Sequence, residues 1–148
     1  MAVTWIVNPL AGGGRAARIV ADLDRRQREI GKALGESIEI RMTMAPAHGE
    51  VLAREAGHAG SRIVVAVGGD GLIHEVVNGL QGSRATLGIV PAGSGNDIVR
   101  ALGIPMSPAR AFDVLCKGCV RQIDLGRIGN RCFVGFAGTG FDLSLIHI

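Results

Sequence analysis

Three short glycine-rich stretches carry the residues of this sequence that could do chemistry. They are NPLAGGGR at 8–15, GGDG at 68–71 and PAGSGND at 91–97. Glycine allows a backbone to approach a phosphate group with its amides pointing at the oxygens. One such loop is a weak signal, because turns between strands and helices often need glycine for their backbone angles. Three loops, each following an apolar run, favour a phosphate-binding site.

Asp70 is the acidic residue of the second loop. A carboxylate among phosphate-binding loops would repel the ligand unless it held a divalent cation or accepted a proton from an attacking hydroxyl. Both roles belong to phosphoryl transfer. Asp70 is therefore the predicted catalytic residue and a candidate ligand of Mg²⁺.

Alternating strand and helix patterns must position these loops. Strands are predicted at VTWIVNP, SIEIRMT, RIVVAVG and TLGIVP, and helices at GRAARIVADLDRRQREIGKAL, GEVLAREAGHA, LIHEVVNGL, NDIVRALG and SPARAFDVLCKG. This alternation predicts an α/β fold with an open, mainly parallel sheet covered by helices on both faces. Ligands of such sheets bind beyond the carboxyl ends of the strands, where the three glycine loops are expected.

From Val120 onward the pattern changes to short strands and turns with no helix between them, which is typical of antiparallel structure. The sequence is therefore divided into a nucleotide-binding domain at 1–123 and the beginning of a β-rich second domain, expected to be truncated, at 124–148.

The motif CKGC at 116–119 offers too few ligands for a structural zinc site. We expect a helix to end at Cys116, Gly118 to follow with positive φ, and Cys119 to open a strand.

Composition excludes several classes of protein. No apolar run reaches the roughly 18 residues of a membrane span, and the N-terminus lacks a secretory signal pattern, so a cytoplasmic location is expected. The net charge is +3, and the arginines are interspersed with acids, as in ADLDRRQREIGK. That pattern is typical of a solvated helix face, so no nucleic-acid partner is predicted.

The motifs GGDGLIHEVVNGL, NPLAGGGR, PAGSGNDIVRALGIP and IDLG, in order over nearly the whole chain, resemble the diacylglycerol kinase catalytic-domain family. The resemblance implies an N-terminal domain related to those of NAD kinases and phosphofructokinases, with ATP as phosphate donor and Mg²⁺ as cofactor. It implies a lipid hydroxyl as acceptor, which would bring the protein to the inner face of the membrane. It also implies a following β-rich domain that carries a general base, so this chain alone is expected to be a weak kinase.

The resemblance further implies a set of nucleotide-binding residues. It comprises Asn8, Gly12 and Arg15 in the first loop, Thr43 after the second strand, Gly68, Gly69, Asp70, Gly71, Leu72, His74 and Glu75 in and after the second loop, and Gly93, Ser94, Gly95, Asn96 and Asp97 in the third. Asp124, in IDLG, corresponds to an acid of the family's charge network. From its place one helical turn into an apolar helix, His74 is more typical of packing or capping than of a catalytic base, and Glu75 is predicted to hydrogen-bond the loops.

The acceptor lipid stays open at this point. In bacterial members of this family, threonine and asparagine are usual at the positions of Leu72 and His74. With leucine and histidine there, GDGLIHEVVNGL is similar to sphingosine and ceramide kinases. In contrast, GSGNDIVRALGIP is similar to bacterial diacylglycerol and phosphatidylglycerol kinases. Whether the protein forms a homo-oligomer is also open.

Other classes of function fit the sequence less well. A dinucleotide-binding oxidoreductase would have its first glycine directly after the strand, whereas Pro9 and its neighbours intervene before GGGRAA. A serine hydrolase would need glycine in place of Ala92. NAD kinase shares the GGDG loop but not the PAGSGND and IDLG context. A non-catalytic nucleotide- or lipid-binding module remains an alternative to the enzyme.

Overall fold

The computed structural model describes residues 2–34 and 37–135, and its centre is a sheet of four parallel strands. The sheet has the order β2-β1-β3-β4, and each neighbouring pair is parallel. The strands are β1 Ala2–Val7, β2 Ser37–Met42, β3 Ile63–Gly68 and β4 Thr86–Pro91. The predicted open parallel sheet is confirmed.

Helices connect the strands where the apolar periodicity predicted them. They are α1 Ala11–Leu34, α2 His48–His58, α3 Asp70–Gly79, α4 Asp97–Ala101 and α5 Pro108–Lys117. The backbone of Gly12, Gly13 and Gly14 is left-handed, with φ of 61°, 66° and 87°. The regular part of α1 therefore begins after these three glycines, which form a turn.

Helices cover both faces of the sheet. Successive residues of β3 point to opposite faces, and both sets are buried. Val64 and Ala66 pack with α2, α3 and α4, whereas Val65 and Val67 pack with α1 and α5. All four side chains are fully buried. Burying a side chain of valine size contributes about 1.5–3 kcal/mol, so the two layers hold the strand ends in fixed positions.

A short antiparallel hairpin follows α5, with β5 at Gly126–Ile128 and β6 at Arg131–Phe133. Its strands lie within the region where antiparallel structure was predicted. Residues 136–148 of that region lie outside the described residues. The prediction that Cys119 opens a strand is wrong, because residues 119–125 are irregular and exposed. Gly118 does end α5 with a φ of 65°, as predicted. Within the described chain, no strand pairs with residues 119–125.

None of the helices in the described ranges combines the length and the apolar character that a membrane crossing requires.

Candidate functional site

The three glycine loops lie side by side at one edge of the sheet. They follow β1, β3 and β4, which are neighbours and run in the same direction. Backbone hydrogen bonds continue the pairing into the loops: the Asn8 N–H donates to the Val67 carbonyl at 3.1 Å, and the Ala92 N–H donates to the Gly68 carbonyl at 2.8 Å. The parallel topology therefore brings together motifs that are far apart in the sequence.

The first and third loops are in direct contact. A Cβ atom on Gly12 would collide with the carbonyl oxygen of Ala92, and its φ of 61° is unfavourable for other residues. The Arg15 guanidinium donates to the Gly93 carbonyl at 3.4 Å. Because the Arg15 side chain reaches across the edge, its remaining N–H groups are available to a ligand lying on the loops.

The second and third loops touch through glycine. A Cβ atom on Gly93 would lie 2.5 Å from the Gly69 Cα, closer than real Cβ atoms approach other atoms. Apart from chain neighbours and the adjoining helix backbone, no heavy atom of the described residues lies within 4 Å of the Cβ positions of Gly13, Gly14 or Gly71. The loops are therefore packed against each other at some glycines and open to an approaching ligand at others.

Asp70 joins the second loop to the helix that follows the third. The Asp97 N–H donates to Asp70 Oδ2 and the Ile98 N–H donates to Asp70 Oδ1, each at 3.0 Å. Asp70 thus satisfies two backbone donors at the N-terminus of α4, which would otherwise lack partners. Each oxygen of a carboxylate has two lone pairs, so one on each remains for a ligand or a proton.

Asn96 shapes the third loop from inside. Its side chain is buried, its Oδ1 accepts from the Gly93 N–H at 3.1 Å, and its Nδ2 donates to the Gly93 carbonyl at 2.8 Å. Its φ of 57° is left-handed, which asparagine tolerates better than most residues. Ser94, Gly95 and Asp97 are exposed at the tip. Asn96 therefore holds the loop closed while its neighbours face outward.

Glu75 secures the beginning of α2. Its Oε1 accepts from the Ala47 N–H and its Oε2 from the Gly49 N–H, both at 2.9 Å. The sequence predicted that Glu75 would hydrogen-bond the glycine loops, whereas its partners in the structure are these two amides at the start of α2. Thr43 lies at the end of β2 beside the first loop, where its N–H donates to the Val7 carbonyl at 2.8 Å.

The remaining predicted residues fall in different places. The Leu72 side chain is buried in the core, 5% exposed, and packs beneath the second loop against Gly68 and against Gly49 of α2. Asp124 is exposed in the irregular segment before β5, and we find no hydrogen bond or ion pair for it within the described residues. Gly95 lies close to both carboxylates, with its Cβ position 3.4 Å from Asp70 Oδ2 and 3.8 Å from Asp97 Oδ2.

A pocket of about 210 Å³ opens beside Asp70. It is lined by Asp70, His74, Asp97, Ile98, Ala101, Val134 and Gly135. His74 lies one helical turn after Asp70, half-buried, and therefore faces the pocket with it. The pocket brings together one histidine and two carboxylates, groups able to accept a proton from a small polar group.

The described residues include no cluster of three or more His, Cys, Asp or Glu side chains that could hold a metal ion without help. Mg²⁺ in phosphate-transfer sites is commonly bound by one or two carboxylates together with substrate phosphates. Asp70 and Asp97 fit that second arrangement.

Sequence reasoning missed the role of Asn78. Its Nδ2 donates to the carbonyls of His74 at 2.8 Å and Cys132 at 2.9 Å, and its Oδ1 accepts from the Cys132 N–H at 2.9 Å. These bonds attach β6 to α3 and so place Val134 at the pocket beside Asp70. The available signal was an asparagine that directly follows two valines near the C-terminal end of α3.

Comparison with known proteins points to one family. Residues 2–128 match the family described as "Diacylglycerol kinase catalytic domain". The chain is 37% identical, over 97% of its length, to the "Probable lipid kinase YegS-like" protein of Chromohalobacter salexigens, and it covers 46% of that protein. It is 41% identical, over 63% of its length, to the "Diacylglycerol kinase" of Bacillus subtilis, of which it covers 34%. The chain thus spans less than half the length of these relatives.

The fold is shared with solved structures. A crystal structure of a diacylglycerol kinase from Bacillus anthracis superposes with a TM-score of 0.77 at 28% sequence identity. The superposition covers 88% of this chain and 45% of that structure.

Proposed function

This chain belongs to the diacylglycerol kinase catalytic-domain family, and we propose that it binds ATP on its three glycine loops for transfer of the γ-phosphate to a lipid hydroxyl. One observation carries the proposal: the loops after β1, β3 and β4 meet at one sheet edge, and Asp70 ties the second loop to the helix after the third. Amides at such an edge favour phosphate oxygens.

The residues of the three loops would contribute to nucleotide binding in different ways. Gly12, Gly69 and Gly93 let the three backbones lie close together, and the exposed Arg15 and Ser94 supply further donors to phosphate. The predicted contacts at Asn8, Thr43, Gly68, Gly71, Leu72, Glu75, Gly95 and Asn96 belong to the same proposal. Several of these residues act through backbone shape, because the side chains of Leu72 and Asn96 are buried.

Asp70 is the proposed catalytic group. It faces the pocket beside the loops, where an acceptor hydroxyl would lie within reach of a carboxylate that takes its proton. Its two hydrogen bonds to α4 fix the carboxylate in position, so that little reorganisation is needed during transfer. Mg²⁺, when bound with the nucleotide by Asp70 and Asp97, would neutralise phosphate charge.

The second domain is proposed to begin near Asp124, after a nucleotide-binding domain at 1–123. Such a domain would grip the lipid and, where Asp70 serves as the Mg²⁺ ligand, supply the general base that takes the hydroxyl proton. Positioning of the reactants is worth about 7–11 kcal/mol in favourable cases, so a chain without that domain should transfer phosphate slowly. A cytoplasmic protein acting at the inner face of the membrane fits this activity.

The test is transfer of labelled phosphate from ATP. Diacylglycerol, sphingosine and phosphatidylglycerol are offered as acceptors to residues 1–148 and to a form extended by the second domain of a relative. We expect the extended form to label at least one lipid, and the Asp70→Asn variant of that form to lose the activity. If a folded, nucleotide-binding extended form labels none of them, the protein is a binding module and not a kinase.

A further inference from the structure

A second, larger groove of about 350 Å³ lies between α2, the end of α3 and the β5–β6 hairpin. It shares no lining residue with the pocket beside Asp70. Its ionisable residues are Glu50, Arg54 and His58 on one wall and Arg127 and Arg131 on the other. The mechanism proposed above uses none of these side chains.

The fold brings these residues together by regular spacing. Glu50, Arg54 and His58 are four residues apart and so lie on one face of α2. Gly79 allows α2 to approach α3, because a Cβ atom there would lie 2.7 Å from the Ala53 Cβ. The groove is thus framed by a close helix pair.

The hairpin supplies the second wall. Arg127 lies directly opposite Cys132 in the antiparallel pair, and paired residues share a face. Cys132 is buried against α3, where Asn78 holds its backbone, so Arg127 is directed to the same side. The hydrogen bonds of Asn78 therefore hold the backbone of the hairpin that carries Arg127 and Arg131.

The charges of the groove are unbalanced. Glu50, with 17% of its side chain exposed, accepts from Arg54 at 2.8 Å through Oε1 and from Arg131 at 2.6 Å through Oε2. One carboxylate therefore holds two guanidinium groups close to each other. Arg127 adds a third cation, for which we find no partner among the described residues. Three arginines against one carboxylate leave a charge of about +2, with His58 beside them.

We propose that this groove binds a phosphomonoester dianion. The charge of a phosphomonoester dianion is opposite and equal to the positive charge of about +2 in the groove. Each guanidinium group also presents two parallel N–H donors to the phosphate oxygens. Glu50 holds Arg54 and Arg131 in place, and each keeps donors that the carboxylate does not use. The ligand is either a soluble phosphate compound or the phosphomonoester headgroup of a lipid. The site is separate from the nucleotide loops and does not depend on their proposed function.

The test begins with inorganic phosphate titrated into the ¹⁵N-labelled 148-residue chain, followed by amide chemical shifts. We expect shifts at Arg54, Arg127 and Asn130, and about tenfold weaker binding in the variant Arg127→Gln. That variant removes no contact seen in the described chain and should fold normally. Arg110→Gln, an exposed arginine on α5, is the matched control and should bind phosphate as the parent does.

A second arm identifies the source of the phosphate. Vesicles of phosphatidylcholine with phosphatidic acid are compared with phosphatidylcholine alone, and binding that requires both phosphatidic acid and Arg127 supports a lipid headgroup. Phosphate binding in the groove without vesicle binding supports a soluble compound. Shifts confined to the glycine loops, or equal affinity in Arg127→Gln and the parent, would overturn the proposal while leaving the nucleotide site unaffected.

Discussion

Replacing Asp70 by asparagine should destabilise the fold as well as abolish catalysis. The Asp70 carboxylate accepts one hydrogen bond on each oxygen, from the Asp97 and Ile98 amides. Asparagine has almost the same shape but carries only one acceptor oxygen. Its NH₂ group would face one of the two backbone N–H groups, so one hydrogen bond is lost and the other loses its charge.

The expected cost follows from these two bonds. A hydrogen bond to a charged group contributes about 1.5–3 kcal/mol, and one between neutral groups about 0.5–1.5 kcal/mol. Losing one bond of about 2 kcal/mol and weakening the second by about 1 kcal/mol therefore predicts a fall of about 3 kcal/mol in the free energy of unfolding. A replacement that affected only the chemistry would leave this quantity unchanged.

Urea unfolding followed by fluorescence of the buried Trp5 measures the change. Asp97→Asn is the matched control, because its carboxylate pairs with Arg100 at 2.7 Å on a surface where the side chains are 62% and 56% exposed. Such a pair is worth less than about 1 kcal/mol. Hydrogen exchange at the Ile98 amide should accelerate in Asp70→Asn. Equal stability of the two variants, with unchanged exchange at Ile98, would refute the capping role of Asp70.

Two further substitutions test how the site is held together. Gly93→Ala should lower the free energy of unfolding by about 1–3 kcal/mol and weaken nucleotide binding, because its Cβ would overlap the second loop; Gly71→Ala, with open space around its Cβ, should be neutral in thermal unfolding. Asn78→Asp should raise the reaction rate of the buried Cys132 thiol with Ellman's reagent by about tenfold or more, because a carboxylate would face two carbonyls. Asn130→Asp, exposed at the hairpin turn, is its control, and equal rates would contradict the anchoring role.

The strands and most helices were predictable from sequence because the apolar pattern is strong and local. The three glycine loops could be placed at one edge, since parallel strands direct all their carboxyl ends to the same side. A glycine loop was predicted at 8–15, but the left-handed backbone of Gly12, Gly13 and Gly14 was not, because glycine adopts many backbone angles and the sequence alone does not select one.

The contacts that organise the site are long-range, and this is why the sequence did not reveal them. Asp70 meets Ile98 across 28 residues, and Asn78 meets Cys132 across 54. Neither spacing has a local signature, because each depends on which strands are neighbours. The interpretation of Asp70 as a residue explained only by catalysis was therefore incomplete, since its carboxylate also has a structural role. The strand expected at Cys119 was wrong because a strand needs a partner as well as a pattern.

The most direct test of the account is a titration of ATP and Mg²⁺ into the ¹⁵N-labelled 148-residue chain. We predict one binding site, with amide shifts at Gly13, Gly69, Gly71, Ser94 and Gly95, and weaker binding in Gly93→Ala than in Gly71→Ala. A folded chain that binds no ATP, or one whose shifts lie away from the three loops, would contradict the claim that this sheet edge is a nucleotide site.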